Sequence, residues 1–145
     1  MIRLDDNIRY QNVIAYRKVF PYLEMKKELD DFNAKVDKLG IPKVGPLCYI
    51  LHSFSQDDKI DVEFLMPLKE AVIPCDEELL FHTYYAVENM VSSIVFDDYD
   101  KKMEMTYSAL IEFVKAAGME IATPFYHIVD RHQRYIKVML GYRPL

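Results

Sequence analysis

The strongest constraint on this chain is a pattern written twice, 78 positions apart. Met25, Leu29, Phe32, Val36 and Leu39 step by four, three, four and three, which draws one apolar stripe down one face of a helix. Met103, Tyr107, Leu110, Val114 and Ala117 repeat it, each 78 positions later. The same offset relates Gly40 to Gly118, Pro46 to Pro124 and Ile50 to Ile128. Amphipathic helices share such spacing by physics alone. The coincidence of helix register, C-terminal glycine and following proline is what points to a duplicated unit.

The flanking segments repeat as well. Ile8–Val19 and Thr83–Phe96 are rich in β-branched and aromatic residues and read as strands, each before a helix. The first helix is expected from Pro21, suited to a first turn, to Gly40, suited to a left-handed C-terminal position. The second follows "DDYD" and ends at Gly118. Two strands should follow each helix: Leu47–Phe54 with Ile60–Met66, and Phe125–Val129 with Tyr135–Tyr142. The polar turns "SQDDK" and "DRHQR" close them as hairpins. This predicts an α+β fold: one domain of 145 residues made of two β-α-β-β repeats, about 1–78 and 79–145. Antiparallel sheets would surround a central groove, with both helices outside.

Strand alternation then assigns faces. Ile60, Val62, Phe64 and Met66 should lie beneath the first helix, and Asp61, Glu63 and Leu65 should point the other way. The closing Pro67-Leu68 and Pro144-Leu145 match at an offset of 77, which places Val138, Leu140 and Tyr142 on the face equivalent to Asp61, Glu63 and Leu65. The expected groove thus has an acidic wall and an apolar one. Tyr16, Tyr49, Tyr85 and Tyr126 are candidate contributors, since tyrosine offers an apolar body with a polar tip and the chain has 11 of them.

Net charge is −5, and acids cluster at Asp57–Glu63, Asp76–Glu78 and Asp97–Glu104. Such a surface repels phosphates, so nucleic acid is a poor partner, whereas a basic protein or a cationic ligand is favoured. Singly, each run also suits a solvated turn or a helix N-terminus. No apolar run is long enough to span a membrane, and "MIRLDDNIRY" lacks the pattern of a signal peptide. The chain is therefore read as soluble and cytoplasmic, and Cys48 and Cys75 as reduced core thiols.

Catalytic signals are thin. The histidines His52, His82, His127 and His132 match no zinc spacing, so neither metal nor cofactor is expected. Four glycines, none in a G-x-G array, leave no phosphate loop, and no nucleophile elbow is present. A Glu63–Tyr or Glu63–His acid–base pair would rest on fold analogy alone, and the chain is read as a non-enzyme.

Strand, glycine-terminated helix, "GP" with an aromatic strand, and an acidic strand closing on proline, then the same again, resembles the gyrase-inhibitor-like superfamily of effector-binding domains. The resemblance implies two β-α-β-β repeats around a cleft that takes small cationic or aromatic molecules, here without a DNA-binding domain. It also implies a buried glutamate four residues before the second closing proline. Leu140 stands there, while Glu63 holds that place before Pro67. The stretch "DDYDKKMEMTYSALIEFVKAAG" further resembles stand-alone immunity proteins of LXG-type toxin systems in Gram-positive bacteria. This implies stoichiometric neutralisation of a cognate basic toxin, more narrowly a nuclease, through Asp76, Glu77, Glu78, Asp97, Asp98 and Asp100. The rival expectation is a small-molecule effector bound at Glu63 and Asp61.

Overall fold

A computed structural model describes all 145 residues. The elements are β1 (Arg3–Pro21), α1 (Met25–Asp37), β2 (Cys48–Phe54), β3 (Lys59–Pro67), β4 (Leu80–Val95), α2 (Tyr99–Ala116), β5 (Met119–Val129) and β6 (Ile136–Pro144). A short 3-10 turn, Tyr22–Glu24, leads into α1. The chain divides into two compact units, residues 10–85 around α1 and residues 1–9 with 86–145 around α2. All strand pairs named below are antiparallel, and the fold is α+β.

In the α1 unit β3 is central, paired with β1 from Val13↔Pro67 to Pro21↔Lys59 and with β2 from Cys48↔Leu65 to Phe54↔Ile60. The stripe on α1 buries Phe32 and Val36 against one face of this sheet. Phe32 lies 5.5 Å from Phe64 and 6.2 Å from Tyr16, and Phe20 lies 6.3 Å from Phe64, so near-parallel aromatic rings form the layer between helix and sheet. Glu28 joins that stripe unannounced by any apolar pattern. It is 2% exposed, its Oε1 is 3.1 Å from Lys18 Nζ, and its Oε2 has no hydrogen-bond partner.

In the α2 unit β6 is central, paired with β4 through Val91↔Leu140 and with β5 through Phe125↔Leu140. Leu110 and Val114 of α2 close over Val91, Val95, Val138 and Leu140. Tyr107 stacks on Phe125 at 4.2 Å, and its hydroxyl meets Nε2 of the fully buried His127 at 2.5 Å, which satisfies a polar ring inside an apolar layer.

Both helices stop as expected, with Gly40 at φ +71 and Gly118 at φ +75, a conformation that costs any residue with a Cβ. Several boundaries differ from the sequence expectation. β1 starts at Arg3 rather than Ile8, and α1 starts at Met25 because residues 22–24 take the tighter turn. The link after Gly118 is itself strand, since β5 begins at Met119 and absorbs Pro124 at a register shift between Ile121 and Phe125. Cys48 is buried, but Cys75 is an exposed thiol rather than a core residue.

The face assignment in β6 also needs correction. Val138, Leu140 and Tyr142 pack beneath α2. The opposite face of β6 carries Lys137, Met139 and Gly141. A one-residue slip reverses every side chain of a strand, and matching the closing Pro-Leu pairs introduced that slip.

Candidate functional site

The face of the α1-unit sheet turned away from α1 holds a charged cluster on three neighbouring strands. β3 projects Asp61 and Glu63 there, as its alternation predicts. On β1, Arg17 stands opposite Glu63 in the ladder and reaches Asp61 diagonally through two hydrogen bonds, Nε–Oδ1 at 3.0 Å and Nη2–Oδ2 at 2.9 Å. On β2, a register shift between Leu51 and Ser53 adds one residue, His52, and its Nε2 lies 2.8 Å from Glu63 Oε1.

Burial grades across this face. Val13, Ala15, Cys48, Ile50 and Leu65 are at most 1% exposed. Toward the Asp61 end the side chains open to solvent: Glu63 17%, Asp61 21%, His52 23% and Arg17 54%. Glu63 is therefore a mostly buried carboxylate at the rim of an apolar stretch, where its charge is weakly screened. The Arg17 hydrogen bonds hold the Asp61 carboxyl below the usual carboxylate range against a smaller opposing effect of burial, and Arg17 is raised by the same contact. Asp61 is thus neutralised by a guanidinium that never loses its proton. Glu63 stands opposite Arg17 in the ladder and meets the His52 imidazole at 2.8 Å.

The remaining sequence candidates scatter. Tyr16 and Tyr49 lie on the α1 side, 6.4 and 6.5 Å from Phe64, so they face away from Glu63. Tyr85 is half-buried and meets His82 edge-on at 5.9 Å. Tyr126 is 6% exposed, opposite Met139 in the ladder and away from α2. Leu140 is core, and Tyr142, beside it, donates its hydroxyl to Asp5 at 2.9 Å. That bond to a carboxylate, with burial, raises the Tyr142 hydroxyl above the usual tyrosine range.

The acids expected to meet a basic protein are partly engaged within the chain. Asp76 binds Lys35 Nζ at 2.6 Å and accepts the Glu78 N–H at 2.9 Å, and Asp97 pairs with Lys102. Asp98 precedes α2 in the left-handed conformation, and Asp100 lies in its first turn, where a carboxylate complements the dipole. Glu77 and Glu78 are exposed.

Two polar clusters in the α2 unit had no sequence signal. Asp6 is 8% exposed and bound by Lys137 Nζ at 2.6 Å, Ser92 Oγ at 2.8 Å and the Asn7 N–H at 2.9 Å. Burial would raise its carboxyl, but these bonds outweigh burial and hold it below the usual range. In the β5–β6 turn, Arg134 makes three contacts of 2.8–3.2 Å to Asp130, which lowers that carboxyl to about 2. Nowhere do three His, Cys, Asp or Glu side chains converge as a metal site would require. His127 points under α2, while Asp130 turns back on Arg134.

No helix is long and apolar enough to cross a membrane. Comparison with curated proteins finds no match. Among solved structures, the EcmrR C-terminal domain superposes with TM-score 0.80 at 16% identity, covering 100% of this chain and 98% of that one. EcmrR in its DNA complex scores 0.81 at 16% identity, and there this chain spans 58% of the length of the other. A hydrolase from Listeria innocua scores 0.62 at 12% identity, with 97% and 92% of the two chains covered. SAV2435, solved bound to tetraphenylphosphonium, scores 0.51 at 6% identity, with 99% and 93% covered. At such identities the likeness is one of fold. A family model matches residues 9–141, nearly the whole chain, and the protein belongs to the family described as domain of unknown function DUF5085.

Proposed function

We propose that this protein is a non-catalytic effector-binding module that takes a small organic cation at Glu63. The observation that carries the reading is Glu63 itself: a carboxylate only 17% exposed, on a sheet face whose adjoining side chains Ala15, Ile50 and Leu65 are apolar and buried. A delocalised cation gains from such a place twice, by burying its hydrocarbon and by meeting a weakly screened charge. The likeness in fold to SAV2435, solved with tetraphenylphosphonium, supports the ligand class. The shared element order and the matching positions of central strands β3 and β6 support descent of the two units from one β-α-β-β ancestor.

Toxin neutralisation has less behind it. Its steering acids Asp76 and Asp97 are already paired with Lys35 and Lys102. Thermal unfolding with and without a panel of lipophilic cations tests the choice. The reading predicts a rise in Tm with concentration for the wild type, since a ligand that binds only the folded state stabilises it, and little rise for Glu63→Gln. An equal rise in both proteins would refute Glu63 as the site.

A further inference from the structure

Each unit carries an exposed aromatic pair at the same end of its sheet, beside the hairpin turn that feeds its central strand. In the α1 unit the pair is Tyr22 and Phe54, with ring centroids 6.1 Å apart next to the turn at 55–59. In the α2 unit it is Phe96 and Tyr135, 6.2 Å apart next to the turn at 130–134. Phe54 is 58% exposed and Phe96 65%. Single exposed apolar residues are ordinary, but paired rings at equivalent corners of both units mark contact surfaces. The two corners differ in charge. Residues 55–59 hold two acids, Asp57 and Asp58, against one lysine, Lys59, which lies 3.8 Å from Asp57. Residues 130–134 hold two arginines, Arg131 and Arg134, against one acid, Asp130, which Arg134 binds at 2.8 Å. The Arg134 guanidinium also lies 6.0 Å from the Tyr135 ring. The acids that follow Phe96 are engaged at α2, where Asp97 pairs with Lys102 and Asp98 stands at the helix N-terminus.

We infer that these corners are the two halves of a contact between copies of this chain, the Tyr22–Phe54 corner of one copy docking on the Phe96–Tyr135 corner of another. The aromatic pairs bury against each other, and Asp57 and Asp58 face Arg131 and Arg134. Aromatic side chains and arginine are the types that interface centres favour. Charge decides which corners meet. Like corners would set two acids against two acids, or two arginines against two arginines, and juxtaposed like charges cost affinity. Unlike corners bring a turn of net charge −1 to a turn of net charge +1 on the count above. The contact therefore uses different patches on the two copies. A foreign partner would need only one of these corners; that each complements the other within one chain favours a second copy. Patches this small make a weak contact, below the ~1,200 Å² typical of stable complexes, so concentration and salt govern it.

Sedimentation velocity of the full chain, from about 10 to about 500 µM at low and at high salt, reads the contact. The wild type should sediment faster as concentration rises at low salt and lose most of that gain at high salt. Asp57→Lys leaves both turns positive and Arg131→Glu leaves both negative, so each variant alone should associate at least about tenfold more weakly. Mixed in equal amounts the two variants should associate again, because the unaltered acidic corner of one meets the unaltered basic corner of the other. Phe96→Ser should weaken association at both salts, and melting curves show that each variant is folded. A wild type that stays monomeric throughout, variants that associate as the wild type does, or a mixture no stronger than its parts would each overturn the inference.

Discussion

Replacing Leu140 by alanine separates the two roles this residue could have. Leu140 is 1% exposed and packs among Val91, Val95, Leu110, Val114 and Val138 beneath α2. Truncation there removes buried hydrocarbon and leaves a cavity that neighbours on two strands and a helix can fill only in part. Such changes cost about 2–5 kcal/mol, and a site walled by paired strands belongs near the middle, about 3 kcal/mol. For a chain of this size that is roughly a 10 °C fall in Tm. It is also a large share of the ~5–15 kcal/mol that holds a typical domain together. Urea unfolding followed by circular dichroism, without ligand, measures it directly. A ligand-facing leucine would behave otherwise: its truncation would cost under about 1 kcal/mol, in line with ordinary surface substitutions. A loss that small would refute the assignment of β6 faces, and with it the claim that Glu63 has no counterpart at Leu140.

Glu28→Met should stabilise the protein by about 1 kcal/mol. It removes a buried unpartnered oxygen, worth about 1–3 kcal/mol, and sacrifices only a contact with the half-exposed Lys18, which solvent screens. A lower urea midpoint in the variant would show that Oε2 has a partner in solution. Asp130 governs acid lability in the β5–β6 turn. Its folded carboxyl is lowered to about 2 from an ordinary 3.8, so its contribution is complete above about pH 4 and disappears as pH falls through 2. Melting curves should therefore show Asp130→Asn less stable than wild type at pH 5 and closer to it at pH 2.5, and a constant gap would contradict the Arg134 pairing.

Much of this fold is legible in the sequence because it follows from periodicity. The stripes on α1 and α2, the C-terminal glycines and the alternation in β3 that joins Asp61 to Glu63 are all local consequences of side-chain spacing. What escaped depends on pairing between strands. Arg17 meets Asp61, and His52 meets Glu63, through ladder register and a one-residue bulge, and neither is written in local spacing. The slip in β6 has the same origin, since chain ends match by composition while faces are set by what packs beneath the helix. Tyr16 and Tyr49 illustrate a further limit: an aromatic ring with a polar tip serves a stacked core as well as a ligand site, and here the rings lie against Phe64. Glu28 and His127 show the converse, polar residues placed in apolar layers by tertiary contacts with Lys18 and Tyr107.

The central claim is that Glu63 supplies the charge that recognises an organic cation. Calorimetric titration of tetraphenylphosphonium at pH 8 into wild type and Glu63→Gln addresses it most directly, with urea midpoints confirming that both are folded. The account predicts saturable one-to-one binding to the wild type and at least a tenfold loss in the variant. Equal affinity in the two proteins, or no binding to the wild type, would contradict it.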